Sequence, residues 1–99
     1  PPHITMPAPT DPQAIEMAQK ASVDWTGPVE PLIKKVAEAC HYQLHVLGQK
    51  PAVPALVKLN VKEQTLAQIL RNLGYQVRHA ANITVYPKRQ IIELRYVSV

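Results

Sequence analysis

The residues in this chain with the means for chemistry are four histidines, one cysteine and seven carboxylates, spread over 99 positions. His41 and His45 stand four apart, and the stretch around them alternates, Tyr42, Leu44 and Val46 against His41, Gln43 and His45. That period belongs to a strand, along which the two imidazoles lie roughly 13 Å from each other, too far to share a metal. His79 falls on a later alternating run and His3 in a proline-rich start, so the histidines read as surface or edge residues. Cys40 lies on the apolar stripe of a helix, where a thiol is buried and inert rather than nucleophilic. Nor does it suit lipid attachment, because Val36–Ala39 before it belong to the same helix and no apolar secretion segment lies ahead of them. Asp11, Asp24, Glu30, Glu38, Glu63 and Glu93 are scattered, with no pair spaced to share general acid–base work. The three glycines stand apart at 27, 48 and 74, and there is no Ser-centred elbow, Gly-rich phosphate loop or metal signature. The chain is therefore expected to be non-enzymatic, with no cofactor, no metal site and no small-molecule substrate.

What remains is chemistry of recognition. Arg71, Arg78, Lys88, Arg89 and Arg95 gather in the second half of a chain whose net charge is +4. One reading is a small nucleic-acid-binding module. The Gly-x-x-Gly loop of one such module is missing, as are aromatic platforms interleaved with the basic residues. A solvated face is the first reading, a charged protein interface the next, and no nucleic-acid partner is expected. Trp25, beside the Gly27-Pro28 break, either caps the core or anchors a partner, with the core preferred. The edges of a short sheet offer strand addition as a further route to a partner. The candidate partner-binding residues are thus Trp25, Tyr42 and Leu44 of the Tyr42–Leu47 strand, and Lys88, Arg89 and Arg95 of the Lys88–Arg95 hairpin.

The elements that must hold these residues are legible from periodicity. In Val57–Tyr86, Val57, Leu59 and Val61 share one face of a strand, with Lys58, Asn60 and Lys62 on the other. Thr65 and Gln68 have the spacing of a capping box, and Leu66, Ile69, Leu70 and Leu73 form one apolar stripe. Gly74 stands where a left-handed residue would stop that helix, and Tyr75–His79 and Ile83–Tyr86 then alternate again. Upstream, Ala21–Trp25 predicts a short, edge-like strand. Pro28–Cys40 predicts a helix on the stripe of Val29, Leu32, Ile33, Val36, Ala37 and Cys40. Pro28 and Pro31 near its start, and Glu30 in its first turn, suit a helix N-terminus. Ile91–Val97 predicts a closing strand after a Pro87–Gln90 turn, and its Glu93 and Arg95 face is expected to be partly covered because Ile91 and Val97 flank them.

The order β-α-β-β-α-β-β makes a small α+β domain at residues 21–99, two helices packed on a small mixed sheet. Residues 1–20 read as a tether, since 1–12 hold five of the ten prolines and Gln13–Lys20 suits a short helix after Asp11-Pro12. One domain is all this length supports. A single cysteine excludes an intrachain disulfide, and no apolar run approaches the roughly 20 residues that span a bilayer. The chain opens on Pro1-Pro2 with neither an initiator methionine nor a signal segment, and is expected to be a processed or trimmed piece.

Several ordered stretches resemble one family: Val23-Asp-Trp25, Gly27-Pro28, His45-Val-Leu-Gly48, Leu66-Ala-Gln-Ile-Leu-Arg71, Tyr75-Gln76, Val85-Tyr-Pro87 and Glu93-Leu-Arg-Tyr96. Over about three quarters of the chain they look like the DotD family, small outer-membrane lipoproteins of Dot/Icm (type IVB) secretion systems and their conjugative relatives. The strand–T-L-x-x-I-L-x-x-L-G-Y–strand unit is similar to the N-terminal periplasmic domain of secretins and to the signalling domain of TonB-dependent receptors. The resemblance implies a βαββαββ periplasmic domain, hung from the bacterial outer membrane by a lipid on an N-terminal cysteine that this chain does not contain. It implies work beside a DotC-like lipoprotein and a DotH-like core-complex subunit. A secretin-type domain of another envelope machine is the alternative, and the family offers no catalytic residues to carry over.

Overall fold

In the computed structural model, which describes residues 3–5 and 16–97, six strands and two helices follow one another. They are β1 (His3–Thr5), β2 (Lys20–Pro28), α1 (Val29–Ala39), β3 (Gln43–Leu47), β4 (Leu56–Thr65), α2 (Leu66–Gln76), β5 (Ala81–Tyr86) and β6 (Ile91–Tyr96). From β2 onward the order is the expected βαββαββ, with two strands after α2 because Tyr75–His79, one of three alternating runs read there, is not a strand. The Asp11-Pro12 cap and most of the proline-rich start lie outside the described residues. Of the short helix expected over Gln13–Lys20, the described part is a single 3-10 turn at Glu16–Ala18, and Lys20 already belongs to β2.

α1 forms because its apolar residues recur on one side: Val29, Leu32, Ile33, Val36 and Ala37 are buried while Lys34 and Lys35 are exposed. Pro28 precedes it at φ −60° and ψ 141°, and Val29 N–H donates to the Ala55 carbonyl at 2.9 Å, giving one orphan donor a partner. At the other end the chain makes a Schellman turn. His41 N–H donates to Glu38 O at 3.2 Å, Tyr42 N–H to Ala37 O at 2.8 Å, and His41 is left-handed with φ 61°. His41 is thus the residue that stops the helix.

α2 starts with the expected capping box. Gln68 N–H donates to Thr65 Oγ1 and Thr65 N–H donates to Gln68 Oε1, each at 3.1 Å. Leu66, Ile69, Leu70 and Leu73 are buried. Two expectations fail here. Gly74 is an ordinary helical residue rather than a left-handed stop, and Tyr75–His79 is not a strand. Tyr75 and Gln76 complete α2, and Val77–Ala80 turn the chain, with Val77 N–H on Leu73 O at 3.0 Å and Ala81 N–H on Val77 O at 2.9 Å. Val77 is wholly buried one helical turn beyond Leu73, so the 3.6 period outruns the alternation of Tyr75, Val77 and His79.

The two strands that feed helices pair with each other, and the strands that leave helices make a second sheet. In the first sheet β2 lies between β1 and β4, all antiparallel, so β2 is a central strand rather than the edge strand expected. β4 carries one extra residue opposite Ser22, where Glu63 is left-handed at φ 52° and its N–H donates to Ser22 Oγ at 3.2 Å. In the second sheet β6 lies between β3, parallel to it, and β5, antiparallel. Helix α1 touches β2 of one sheet and β3 and β6 of the other, and α2 touches β4 and β5. The helices also touch each other, so one core serves both sheets. Among the described residues no polar or charged residue is buried.

Candidate functional site

β6 sorts its side chains by the two-residue period of a strand. Ile92, Leu94 and Tyr96 are buried against the helices, while Ile91, Glu93 and Arg95 point to the other face. No described element packs over that outer face. The register lays it out in rows: Gln43–Ile91–Tyr86, His45–Glu93–Thr84 and Leu47–Arg95–Asn82. It mixes exposed polar residues with exposed Leu47 and half-buried Ile91 and Tyr86. Arg95 Nε and Glu93 Oε1 pair at 3.2 Å, with the arginine side chain 54% exposed and the glutamate 17%, so the guanidinium stays presented while the carboxylate is partly covered. Beyond the first row the chain turns through Pro87–Arg89, which exposes Lys88 and Arg89, and Gln90 closes the turn left-handed at φ 54°. The Arg89 guanidinium sits 5.7 Å from the centre of the Tyr86 ring.

The structure therefore brings Lys88, Arg89 and Arg95 to one sheet and places Leu44, half-buried on the inner side of β3, at that sheet's edge. Trp25 and Tyr42 do not join them. Trp25 is buried in the first sheet, and its indole N–H folds over Gly27 to donate to the Pro28 carbonyl at 3.1 Å. Gly27 beneath it holds φ 150°, a conformation that residues with side chains rarely adopt. Tyr42 is buried in the turn that ends α1.

A polar cluster that no local spacing announces lies at the start of α1. Glu30 accepts from the Tyr96 hydroxyl at 2.9 Å through one oxygen and from Lys50 Nζ at 3.0 Å through the other. Burial raises the Glu30 carboxyl, but the hydrogen bonds from Lys50 and Tyr96 and the lysine charge outweigh it and hold the group below its ordinary value. Burial, and then the bond to Glu30, push the Tyr96 phenol up to about 12. The arrangement clasps α1, β6 and the loop before β4 together. His41 and His45 are exposed, and among the described residues no group of three His, Cys, Asp or Glu is placed to hold a metal ion. Among the described residues no helix is long and apolar enough to cross a membrane.

The strand edges differ in how they are treated. The free edge of β4 is closed by the Gln76 carboxamide, whose Oε1 accepts from Lys58 N–H at 3.1 Å and whose Nε2 donates to Lys58 O at 2.9 Å. Asn72 Oδ1 steadies the same amide at 2.7 Å. β3 and β5, the edges of the second sheet, have no such cover among the described side chains. In comparison with known proteins, the model of a family described as DotD protein matches residues 1–96. No curated protein matches the chain.

Proposed function

Since the chain belongs to the DotD family, lipoproteins of type IV secretion systems, we propose that it is a non-enzymatic structural subunit of a type IVB secretion or conjugation core complex. In this reading it is held at the periplasmic side of the bacterial outer membrane by an N-terminal lipid. There it helps place a DotC-like lipoprotein and a DotH-like subunit. The family match over residues 1–96 is the observation that carries the reading. The βαββαββ order supports the further likeness to secretin N-terminal domains. Within the domain we assign partner contact to the outer face of the second sheet, with Arg95 in its last row and Lys88 and Arg89 on the turn beyond its first. Leu44 contributes at the β3 edge, while Trp25 and Tyr42 support the contact from the core.

Two measurements test this. Intact-mass analysis of the native protein from outer membranes is expected to find a lipid-bearing cysteine ahead of the present Pro1. An unlipidated species would remove the anchor. Capture of the DotC-like and DotH-like proteins is expected to fall at least about tenfold for the Lys88→Glu/Arg89→Glu/Arg95→Glu variant. Undiminished capture would take the contact away from this face.

A further inference from the structure

Between α2 and β5 runs an open groove of about 510 Å³. On the helix side it is lined by Ala67, Arg71 and Gly74, which recur at i, i+4 and i+7 and so share one face, with Leu70 beneath them. On the strand side it is lined by Ile83 and Val85, and buried Met17 of the Glu16–Ala18 turn lines it as well. Gly74 and Ala67 are small, which is why α2 lies close to the sheet and a trough remains over Leu70. A Cβ at Gly74 would sit 3.9 Å from that of Ile83.

The backbone along this groove is an unused sheet edge. Val97 N–H donates to Ala80 O at 2.9 Å, and in an antiparallel pair the groups that face the partner recur every second residue. Asn82, Thr84 and Tyr86 therefore direct their main-chain groups at β6, and Ile83 and Val85 direct theirs away from it. Among the described residues no strand lies on that side. β5 reads A-N-I-T-V-Y and carries neither a charge nor a proline, the usual devices against strand addition. The contrast with β4, sealed by Gln76, is marked.

Charge selects the occupant. Arg71 is exposed, lines the groove and makes no ion pair among the described residues. Pro87 at the end of the groove leads directly into exposed Lys88 and Arg89. No carboxylate lines the groove among the described residues.

We propose that this groove docks an extended acidic segment of a partner protein, added as a further strand to β5, whose groove-facing residues, every second one, are apolar and acidic in turn. Its main chain pairs with Ile83 and Val85. A strand turns every second side chain to one face, so its groove-side residues are apolar over Leu70 and Val85 and acidic beside Arg71. A further acidic residue at its Pro87 end meets the Lys88–Arg89 turn. The site goes beyond the sheet face assigned above; the two share the Lys88–Arg89 turn, but Arg71 and Ile83 belong to the groove alone, so the variants below can fail while that face stands.

The test uses the folded chain and a labelled synthetic peptide whose alternate positions run leucine, glutamate and valine, with serine or threonine between them. Nuclear magnetic resonance titration is expected to move the amide signals of Ile83 and Val85, with binding that weakens as salt rises. Arg71→Glu, on an exposed position that leaves the core intact, is expected to weaken binding at least about tenfold. N-methylation of alternate peptide amides, which leaves the folded chain untouched, is expected to abolish it. So is Ile83→Pro, which removes the outward N–H together with a half-buried side chain and is compared only where its spectrum shows the fold retained. Three outcomes would overturn the proposal. They are signals moving on β3 instead, equal binding by a peptide with lysine for glutamate, and a dimer of the chain, lost in Ile83→Pro, that takes no peptide.

Discussion

His41 shows how one residue acts through its backbone. Its imidazole is exposed, yet its left-handed φ of 61° makes the Schellman turn that turns α1 back toward β3. A non-glycine residue in that conformation costs about 1–2 kcal/mol, and glycine's extra freedom in the unfolded chain offsets about 0.5–1 kcal/mol of the relief. His41→Gly is accordingly expected to raise stability by about 0.5–1 kcal/mol, read as a higher midpoint in urea unfolding. The converse holds at Gly48, where φ is 83° and a Cβ would collide with the Tyr96 carbonyl. Gly48→Ala is expected to destabilise the fold by more than the few tenths of a kcal/mol typical of exposed sites, measured in the same unfolding experiment.

Among elements, the devices that close or open a strand edge decide which surface is inert. Gln76 donates and accepts at Lys58 as a neighbouring strand would. Gln76→Ala is expected to cost about 1 kcal/mol and to increase self-association, measured by unfolding and by sedimentation at rising protein concentration. How much of this the sequence discloses depends on whether an interaction is local. The stripes of α1 and α2 and the Thr65–Gln68 box need only neighbours within one or two helical turns, and they could be read off. The role of Gln76, eighteen positions from Lys58, could not. Nor could the end of α2, because Tyr75–His79 satisfies strand alternation and helical period at once. Only the burial of Val77 beneath the fold decides between them. For the candidate site, sequence marked the basic residues of the second half and the mixed character of the Glu93–Arg95 face. It gave no hint that β3 lies beside β6, which turns scattered residues into one surface.

For the molecule as a whole, the Glu30–Tyr96 bond joins the first helix to the final described strand, residues 66 apart. Both partners make stability depend on pH, in opposite directions. Glu30 titrates below its ordinary value when folded, so its contribution is complete above the unfolded carboxyl value and is lost as pH falls through the folded one. Tyr96 is raised to about 12, so its contribution is complete below the ordinary phenol value and is lost as pH climbs from there through about 12. Thermal unfolding across pH is expected to show a plateau with a falling arm on each side. Tyr96→Phe removes the alkaline arm and shallows the acid one, and an unchanged alkaline arm would refute the assignment.

The parallel pairing of β3 with β6 also has a kinetic consequence. β3 comes before β6 by more than half the described chain, and β5 too precedes it, yet β6 is the strand between them. During synthesis or passage across a membrane, both flanking strands emerge with nothing to pair with, and loop closure delays the sheet until Ile91–Tyr96 arrives. A chain stopped before Ile91 therefore loses the whole second sheet rather than one strand of it, and its exposed Leu44, Val46, Ile83 and Val85 become a target for quality-control proteases.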